Sequence, residues 1–470
     1  MKNCPYAKKC SGCQLQNLSY KEQLSMKQVK LIKLLGKFCH VDEIIGMDEP
    51  YYYRNKIQSA FTFKNGRLQS GLYQSATYKI VPVESCFLEA KGTDEILKTV
   101  RQLCPSFKIK AYDLNTGSGF LRHVLIRKGF LSGEIMVVFV TAKGDFKSKR
   151  SFVNELLRRH PEITTVVWNV NPTSTPLMLG EYSEVLYGNG YITDTLCGLN
   201  FRISPRSFYQ VNPIQTEKLY TLAKEFASLT GKETVIDAYS GTGTIGMTLA
   251  DCAKEVIGVE INSDAVKDAK ENAKLNDIKN IKFYNEDAGN FMCEMASKGI
   301  SADVVVTDPP RAGCSMQFLR SLIALSPKRI VYISCNPETL ARDLVTLTKN
   351  GYKVKKIRGV DMFPHTQHVE TVCLLSKLNT RQHIEVDIHM DELDLTDAEK
   401  KATYGEIKDY VLEHTGLKVS SLYIAQVKQK CGIIERENYN KPKSEDARQP
   451  QCPPDKEKAI KEALLHFGMI

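Results

Sequence analysis

The sequence predicts an α/β protein with a doubly wound parallel sheet in its second half and an antiparallel α+β region before it. From about residue 205, short apolar strands alternate with helical stretches, as in "ETVIDAYSGTG", "EVIGVEIN", "ADVVVTDPP" and "RIVYISCNP". Between about residues 50 and 190, apolar residues instead recur with a period of two. At 470 residues the chain is also too long for one hydrophobic core, so several domains are expected.

Four parts follow from these changes in pattern. We expect, in chain order, a cysteine-rich segment with a helix (1–50), a central α+β domain (51–200), a domain built on the doubly wound sheet (201–378) and a helical extension (379–470). A helical pattern from about Ser19 to Leu35 predicts the first helix. Asn65-Gly66 lies between two alternating runs and predicts a hairpin.

The composition is that of a soluble protein with a basic body. Hydrophobic residues make up 42% and charged residues 25%, and no stretch approaches the length needed to span a membrane. The N-terminus has no apolar signal core, so we expect a cytoplasmic protein whose 14 cysteines are mostly reduced. Residues 379–470 carry 14 Lys and Arg against 17 Asp and Glu, which leaves a net charge of +13 on the rest. This excess indicates a polyanionic partner such as RNA or DNA.

A glycine-rich turn in "VIDAYSGTGTIG" predicts a cofactor site. Asp237 stands at a strand end, and Gly241, Gly243 and Gly246 follow in the turn before a helix, where glycines allow a ligand to approach closely. A tight strand-helix turn alone would explain the glycines. However, acidic Glu260 ends the next strand, where its carboxylate can accept the ribose hydroxyls. The spacing from the strand to the first glycine resembles S-adenosylmethionine (SAM) methyltransferases more than dinucleotide dehydrogenases.

Two more acidic residues end the following strands. Asp287 in "FYNEDA" stands where such folds contact the adenine, and Asp308 in "TDPPRAG" lies at the carboxyl edge beside the ligand crevice. For either residue alone, a helix cap or a solvated turn is an equal alternative. The glycine turn after Asp237 and the acidic residues Glu260, Asp287 and Asp308 are four signals at successive strand ends. Together they favour a cofactor site.

Cys335 in "YISCNPETLARD" lies at the same edge, one strand beyond Asp308. Nitrogen and oxygen acceptors of a methyl group need only deprotonation, whereas carbon 5 of a pyrimidine is a poor nucleophile. A thiolate that adds to carbon 6 activates carbon 5, and a base must later remove the carbon 5 proton. A buried cysteine is usually only a small hydrophobe. The position of Cys335 on a turn at the ligand edge favours a nucleophile.

The candidate base is Glu370 in "DMFPHTQHVETVCLLSK". It ends a polar loop and precedes an apolar strand, again at a sheet edge. His365 and His368 compete for the same role, and a solvated loop carboxylate is the alternative.

The motifs together resemble a known family. They occur in the order "SPRSFYQVNP", "DAYSGTGTIG", "GVEIN", "DPPRAG", "YISCNPETLARD" and "DMFPHTQHVETV". This combination over residues 1–378 resembles the RNA uracil-5-methyltransferase family, and within it the iron–sulfur branch that acts on 23S ribosomal RNA. The resemblance implies that Cys335 is the nucleophile, that Glu370 is the base and that Phe208 lies near the RNA. The SAM contacts that it implies, together with the glycines of the turn, are Gln210, Tyr239, Gly241, Gly243, Glu260, Asp287 and Asp308.

The resemblance also implies a [4Fe-4S] cluster at the start of the chain. Its four ligands match Cys4, Cys10, Cys13 and the distant Cys86. The spacing alone indicates only a thiolate metal site, and zinc would be equally consistent with it. We expect a structural cluster that ties the N-terminus to the central domain, in a monomer that binds 23S rRNA.

Residues outside the motifs suggest further contacts with RNA. Arg54, Lys56, Lys64 and Arg67 on the hairpin region are candidates, with solvated surface charge as the alternative. After a polar, acidic stretch, the extension has Thr396 and Glu399, which match a capping box. It continues with a helix, a glycine turn and a second helix capped by Ser420 or Ser421, a layout that resembles a helix-turn-helix, although its acidic balance favours a packing module.

Three alternative functions stay open. The same chemistry could act on tRNA. The "DPP" motif also occurs in methyltransferases that act on exocyclic amines, although those usually carry an aromatic residue where this chain has Arg311. The third alternative is non-enzymatic: a basic iron–sulfur protein that binds RNA or assists assembly and has a vestigial site.

Overall fold

The computed structural model describes most of the chain, and the described residues form two compact units. The described residues are 4–64, 66–75, 77, 79–114, 116–173, 178–378, 404–431 and 452–467. The first unit is Met1–Asn379 and the second is Thr380–Ile470. None of the described helices combines the length and hydropathy needed to cross a bilayer.

The chain opens with helix α1 (Tyr20–Leu35) and strand β1 (Val41–Ile45). Ser19 accepts a hydrogen bond from the Glu22 amide, and the Glu22 carboxylate accepts one from the Ser19 amide, so a complete capping box fixes the start of the helix. This confirms the predicted first helix. Its buried stripe is partly polar, because it contains Gln23 and Lys27 beside two leucines.

The central domain is a seven-stranded sheet with helices on one face. Its helices are α2 (Thr93–Ser106) and α3 (Lys149–Arg159). Its strands are β2 (Lys56–Lys64), β3 (Arg67–Tyr73), β4 (Ile80–Pro82), β5 (Leu121–Lys128), β6 (Ile135–Thr141), β7 (Ile163–Val170) and β8 (Tyr182–Tyr187), in the order β4-β3-β2-β5-β6-β7-β8. All neighbours pair antiparallel except β6 and β7, which α3 connects. The predicted hairpin of β2 and β3 is confirmed.

A small hairpin, β9 (Ile192–Leu196) with β10 (Leu199–Ile203), leads to the second sheet. The elements that follow are α4 (Pro213–Ala227), β11 (Thr234–Ala238), α5 (Thr244–Leu249), β12 (Glu255–Glu260), α6 (Ser263–Leu275), β13 (Ile281–Asn285), α7 (Ala288–Ser297), β14 (Val304–Thr307), α8 (Met316–Leu325), β15 (Arg329–Ser334), α9 (Pro337–Lys349), β16 (Tyr352–Val360) and β17 (Glu370–Lys377). A short 3-10 turn at Ala250–Cys252 follows α5.

The second sheet has eight strands in the order β1-β16-β17-β15-β14-β11-β12-β13. Its core strands pair in parallel, as the alternating pattern predicts. The sequence analysis did not predict β1 as a member of this sheet. β1 pairs in parallel with β16, so residues 41–45 belong to the same sheet as residues 234–377. Three of its five residues are apolar and two are acidic, and charged residues are common on edge strands.

β17 runs antiparallel to both of its neighbours. Thr371 pairs with Ser334 at the end of β15, and Glu370 pairs with Val360 at the end of β16. The first residue of β17 therefore lies at the edge where the parallel strands end. Such carboxyl edges are where ligands bind in open α/β sheets.

The second unit contains α10 (Tyr404–Thr415), α11 (Ser421–Lys430) and α12 (Pro454–His466). These helices share a small core of their own, with Ile407, Val411, Ile424 and Ile460 fully buried. Ser420 caps α11 by accepting a hydrogen bond from the amide of Tyr423, which confirms one of the two predicted caps. The predicted capping box at 396 and 399 lies outside the described residues.

Candidate active site

The turn after β11 is built around the buried carboxylate of Asp237. Its Oδ2 accepts a hydrogen bond of 2.8 Å from the Gly246 amide, which fixes the first turn of α5. Burial, followed by the nearby charges of Asp308 and Glu260, raises the pKa of Asp237 to about 7. Gly243 has a φ of 80°, and a Cβ there would lie 2.6 Å from the Phe283 ring. Only glycine fits this position.

Glu260 braces the same turn from the next strand. Its Oε2 accepts from the Gly241 amide at 3.0 Å and its Oε1 accepts from the Asn262 amide at 2.8 Å. Each carboxylate oxygen can accept a second hydrogen bond, so both can still receive ribose hydroxyls. Asp287 is the N-cap of α7 and accepts from the Asn290 amide at 3.0 Å, which is the helix-cap alternative of the sequence analysis.

The surroundings of the turn fit SAM. A Cβ on Gly241 would meet nothing within 4 Å, so the space above the turn is open. Within the described structure, three buried polar atoms near the ends of β11 and β14 have no hydrogen-bond partner, namely Asp237 Oδ1, Ser240 Oγ and Thr307 Oγ1. Buried polar groups normally pair, so this edge suits a ligand with polar groups. Tyr239, with a φ of 63°, packs its ring 5.1 Å from Phe318.

The loop with Phe208 and Gln210 is tied to the glycine turn. Thr242 Oγ1 donates to the Phe208 carbonyl at 3.2 Å, and Asn55 Nδ2 donates to the Gln210 carbonyl at 3.1 Å. The Phe208 side chain is 68% exposed. An exposed ring at the rim of a cofactor site is available to stack on a nucleic-acid base.

Cys335 lies on a tight turn between β15 and α9, half-buried. The Ser334 hydroxyl accepts from the Asn336 amide at 3.1 Å, and the Asn336 side chain caps α9 by accepting from the Glu338 amide at 3.1 Å. Pro337 occupies the first helical turn, where its missing N–H costs nothing. The stretch Ser-Cys-Asn-Pro therefore ends the strand and starts the helix at once, with the thiol between them.

Three acidic groups share this site. Burial, followed by the nearby Glu370 and Asp308 carboxylates, raises the pKa of Cys335 to about 11. Burial also raises the pKa of Glu370, and the charge of Asp308 adds to the effect. The guanidinium of Arg311 opposes both shifts. Ser334 pairs with Thr371, so Cys335 and Glu370 lie at one edge of the sheet, and the charges of Glu370 and Asp308 both act on the thiol.

The two histidines that compete for the role of base are differently placed. His365 is buried, and its ring and backbone bond to Gln23 on α1. His368 accepts from the Arg311 guanidinium at 3.3 Å. Glu370 is 5% exposed at the start of β17, and of these three candidate bases it is the one whose charge raises the pKa of the Cys335 thiol.

Sequence reasoning missed the groups that hold Arg311. Asn336 Nδ2 and Thr339 Oγ1 donate to the Arg311 carbonyl at 3.2 and 3.3 Å. Buried Asp343 accepts from the Cys314 amide at 2.9 Å and from the Tyr332 hydroxyl at 2.6 Å, so it fixes the end of the same turn. The sequence signal for Asp343 was the Ala-Arg-Asp end of "YISCNPETLARD", a pattern that is also typical of an exposed helix surface.

The four N-terminal cysteine candidates line one cavity of about 690 Å³, which Arg54 and Lys56 also line. Burial, followed by the neighbouring thiols of Cys10 and Cys4, raises the pKa of Cys13 to about 11. In the described part of the chain, no three His, Cys, Asp or Glu side chains are arranged as a metal-binding group. A shared cavity and thiol donors nevertheless fit a thiolate-bound metal or cluster.

Comparison with known proteins identifies the family. Residues 183–378 match the family model for tRNA (uracil-5-)-methyltransferases. An uncharacterized RNA methyltransferase of Bacillus cereus is 43% identical over 380 residues, which cover 80% of this chain and 83% of the relative. One from Clostridium acetobutylicum is 42% identical over 383 residues, with coverage of 80% and 83%.

A solved structure gives the same result. The tRNA (uracil-54, C5)-methyltransferase of Pyrococcus abyssi, in complex with S-adenosyl-L-homocysteine, is 30% identical and has a TM-score of 0.66. The match covers 78% of this chain and 86% of that one. With this identity and coverage, and with an open cofactor turn beside a thiol, the chain belongs to the RNA uracil-5-methyltransferase family of SAM-dependent enzymes.

Proposed function

We propose that this enzyme methylates carbon 5 of a specific uridine in 23S rRNA, with Cys335 as nucleophile and Glu370 as general base. The observation that carries the proposal is the placement of a half-buried thiol and a buried carboxylate at one sheet edge, beside an open cofactor turn. Methylation of an exocyclic amine would need neither group.

The thiol begins the reaction. As a thiolate, Cys335 adds to carbon 6 of uracil, and the electrons of the ring double bond move onto the carbonyl at carbon 4. SAM, when bound, supplies the methyl group that carbon 5 takes up. Glu370 then removes the proton from carbon 5, the double bond re-forms, and the electrons of the carbon–sulfur bond return to Cys335.

Burial suits Glu370 to this role. A raised pKa makes the carboxylate a stronger base than an exposed glutamate. Arg311 limits this rise in the pKa of Glu370. The thiol pKa is raised by the same surroundings, so the resting cysteine is protonated at neutral pH.

The cofactor contacts follow from the turn. We assign SAM binding to Gly241 and Gly243 in the turn, to Glu260 for the ribose, to Asp287 for the adenine, and to Gln210, Tyr239 and Asp308 around them. The open space above Gly241 and the free acceptor capacity of Glu260 support this assignment.

The proposed cluster is [4Fe-4S], held by Cys4, Cys10, Cys13 and Cys86. The shared cavity supports it, because one chain segment supplies three of the thiols and the central domain supplies the fourth. In this role the thiolates fix the N-terminus to the domain at 51–200. We place the enzyme in the cytoplasm as a monomer.

A second candidate substrate is tRNA. It is favoured by the likeness to the Pyrococcus abyssi enzyme, whose name gives a uracil of tRNA as the target. The resemblance of the motifs to the 23S rRNA branch favours 23S rRNA, whereas the four cysteines do not separate the two substrates, because some cluster-bearing relatives act on tRNA.

The covalent step can be trapped. With substrate RNA and SAM, Glu370→Gln should accumulate a protein–RNA adduct that survives denaturation, because the sulfur cannot leave while the carbon 5 proton remains. Cys335→Ala should give no adduct and lose at least about a thousandfold in methylation rate. Gel electrophoresis under denaturing conditions with labelled RNA measures both. Full activity in Cys335→Ala would rule out this mechanism.

The rate should rise with pH. Cys335 and Glu370 act in their ionised forms, and both have raised pKa values, so single-turnover methylation should increase from about pH 6 to about pH 9. Arg311 lowers both pKa values. Arg311→Gln should therefore move the rising limb to higher pH, whereas Arg320→Gln, a change at an exposed arginine of α8, should leave it in place. An unshifted profile in Arg311→Gln would contradict the proposed electrostatics.

The substrate can be read directly from cellular RNA. In cells without this enzyme, 5-methyluridine should disappear from one position of 23S rRNA and persist in tRNA, as measured by mass spectrometry of nuclease digests. Restoring the wild-type gene should restore it, and restoring Cys335→Ala should not. Loss from tRNA alone would select the second candidate.

The metal can be identified without any assay of activity. Protein purified without oxygen should contain about four iron atoms per chain and show the visible absorption of a thiolate-bound iron–sulfur cluster. Cys86→Ser should lose both iron and absorption, while Cys293→Ser, at an exposed cysteine of α7, should keep them. Zinc without iron would overturn the assignment of the cluster.

A further inference from the structure

The loop before Glu370, residues 361–369, connects β16 to β17. Along its first half it is held by hydrogen bonds from other elements of the fold. Five consecutive carbonyls, those of residues 361 to 365, accept hydrogen bonds from other elements of the same unit. The donors are Gln215 Nε2 to Asp361 at 3.1 Å, Asn212 Nδ2 to Met362 at 2.9 Å, Lys27 Nζ to Phe363 at 3.2 Å, the Tyr53 hydroxyl to Pro364 at 3.0 Å and the Leu15 amide to His365 at 3.0 Å.

Lys27 on α1 makes the charged contact in this set. Its ammonium lies 2.5 Å from Asp361 Oδ1, and both side chains are almost fully buried, at 2% and 0% exposure. The Tyr20 hydroxyl donates to the other oxygen of Asp361 at 3.0 Å and accepts from the Met47 amide at 2.8 Å. Because burying two charges costs desolvation energy, such a pair adds little to the free energy of unfolding. Its better-supported role is to fix one arrangement of the groups around it, here α1 and the loop.

Gln23, one turn earlier on the same buried stripe, holds the middle of the loop. Its Oε1 accepts from the His365 amide at 2.8 Å, and its Nε2 lies 3.2 Å from His365 Nδ1. His365 has a φ of 68°, a left-handed conformation that a histidine adopts only when its surroundings fix it. The proposed catalysis uses neither Gln23 nor Lys27 directly.

We infer that Lys27 and Gln23 are positioning residues for proton removal: through Asp361 and His365 they hold the loop whose end places Glu370 over carbon 5 of the uracil. The inference rests on the proposed role of Glu370. It assigns to α1, more than 330 residues earlier in the chain, a part in one step of the reaction.

The step concerned is elimination from the methylated adduct. The carboxylate takes the proton from carbon 5, the electrons of that C–H bond form the C5–C6 double bond, and the electrons of the C6–S bond return to Cys335. Addition of the thiolate and methyl transfer use residues on other loops. Loosening the 361–369 loop should therefore slow the last step more than the first two, and the methylated adduct should accumulate.

The experiment compares Lys27→Met and Gln23→Leu with the matched control Lys33→Met on the exposed face of α1. Each purified full-length protein is incubated with methyl-tritiated SAM and with the unmodified transcript, 23S rRNA or tRNA, that the wild type methylates. Labelled adduct is measured on denaturing gels, and released methylated RNA is measured by filter binding. SAM binding is measured by calorimetry.

We expect released product to fall about tenfold or more in Lys27→Met and Gln23→Leu, while the fraction of enzyme in labelled adduct rises several-fold above that of the wild type. SAM binding should be unchanged, and Lys33→Met should match the wild type in every measurement. Gln23→Leu leaves no unpaired buried charge, so it tests the positioning role even if Lys27→Met fails to fold.

Glu370→Gln, run alongside, separates this inference from the proposed function. If Glu370→Gln traps adduct while both α1 variants release product at the normal rate, or lose adduct and product in parallel, the positioning role is overturned and the base assignment stands. If Glu370→Gln traps no adduct and Cys335→Ala still methylates the transcript, the proposed function itself fails.

Discussion

The site depends on one topological constraint, the antiparallel insertion of β17 between β15 and β16. A parallel strand in this place would carry its first residue to the opposite edge of the sheet. Over the eight residues of β17 that is a displacement of roughly 25 Å, at about 3.3 Å per residue. Because the strand is reversed, Glu370 lies at the edge where Cys335 follows β15, and the proposed nucleophile and the proposed base come from separate strands to one edge.

That placement has an electrostatic consequence. Cys335, Glu370 and Asp308 are all groups that become negative on ionisation, and each disfavours ionisation of the thiol or of the others. The cost is offset in part by Arg311, whose backbone is held by Asn336 and Thr339 from the first turn of α9. The turn that carries Cys335 thus also holds the backbone of Arg311, whose guanidinium lowers the thiol pKa. If Asn336 and Thr339 only started helix α9, they would not also need to bind the Arg311 carbonyl.

The sequence predicted local features well and long-range contacts poorly. The glycine turn, the helix that begins near Ser19 and the strand–turn–helix around Cys335 depend on neighbouring residues, and the structure confirms them. By contrast, β1 is too short and too polar to be assigned to a sheet that begins about 190 residues later. A lysine in a helical pattern, such as Lys27, usually lies on a solvated face. Nothing near it in sequence indicates that it pairs with Asp361.

These long-range contacts change how the first 50 residues are understood. β1 completes an edge of the second sheet, and Leu31, Leu35 and Val41 pack in the same hydrophobic core as Ile330 of β15. The segment is therefore part of the second sheet and its core, although its cysteines line a cavity with residues of the central domain. Its backbone reaches the 361–369 loop only two residues after Cys13, through the amide of Leu15. The cysteine segment therefore supplies one of the five contacts that hold the loop before Glu370, so its order and the position of that carboxylate are physically connected.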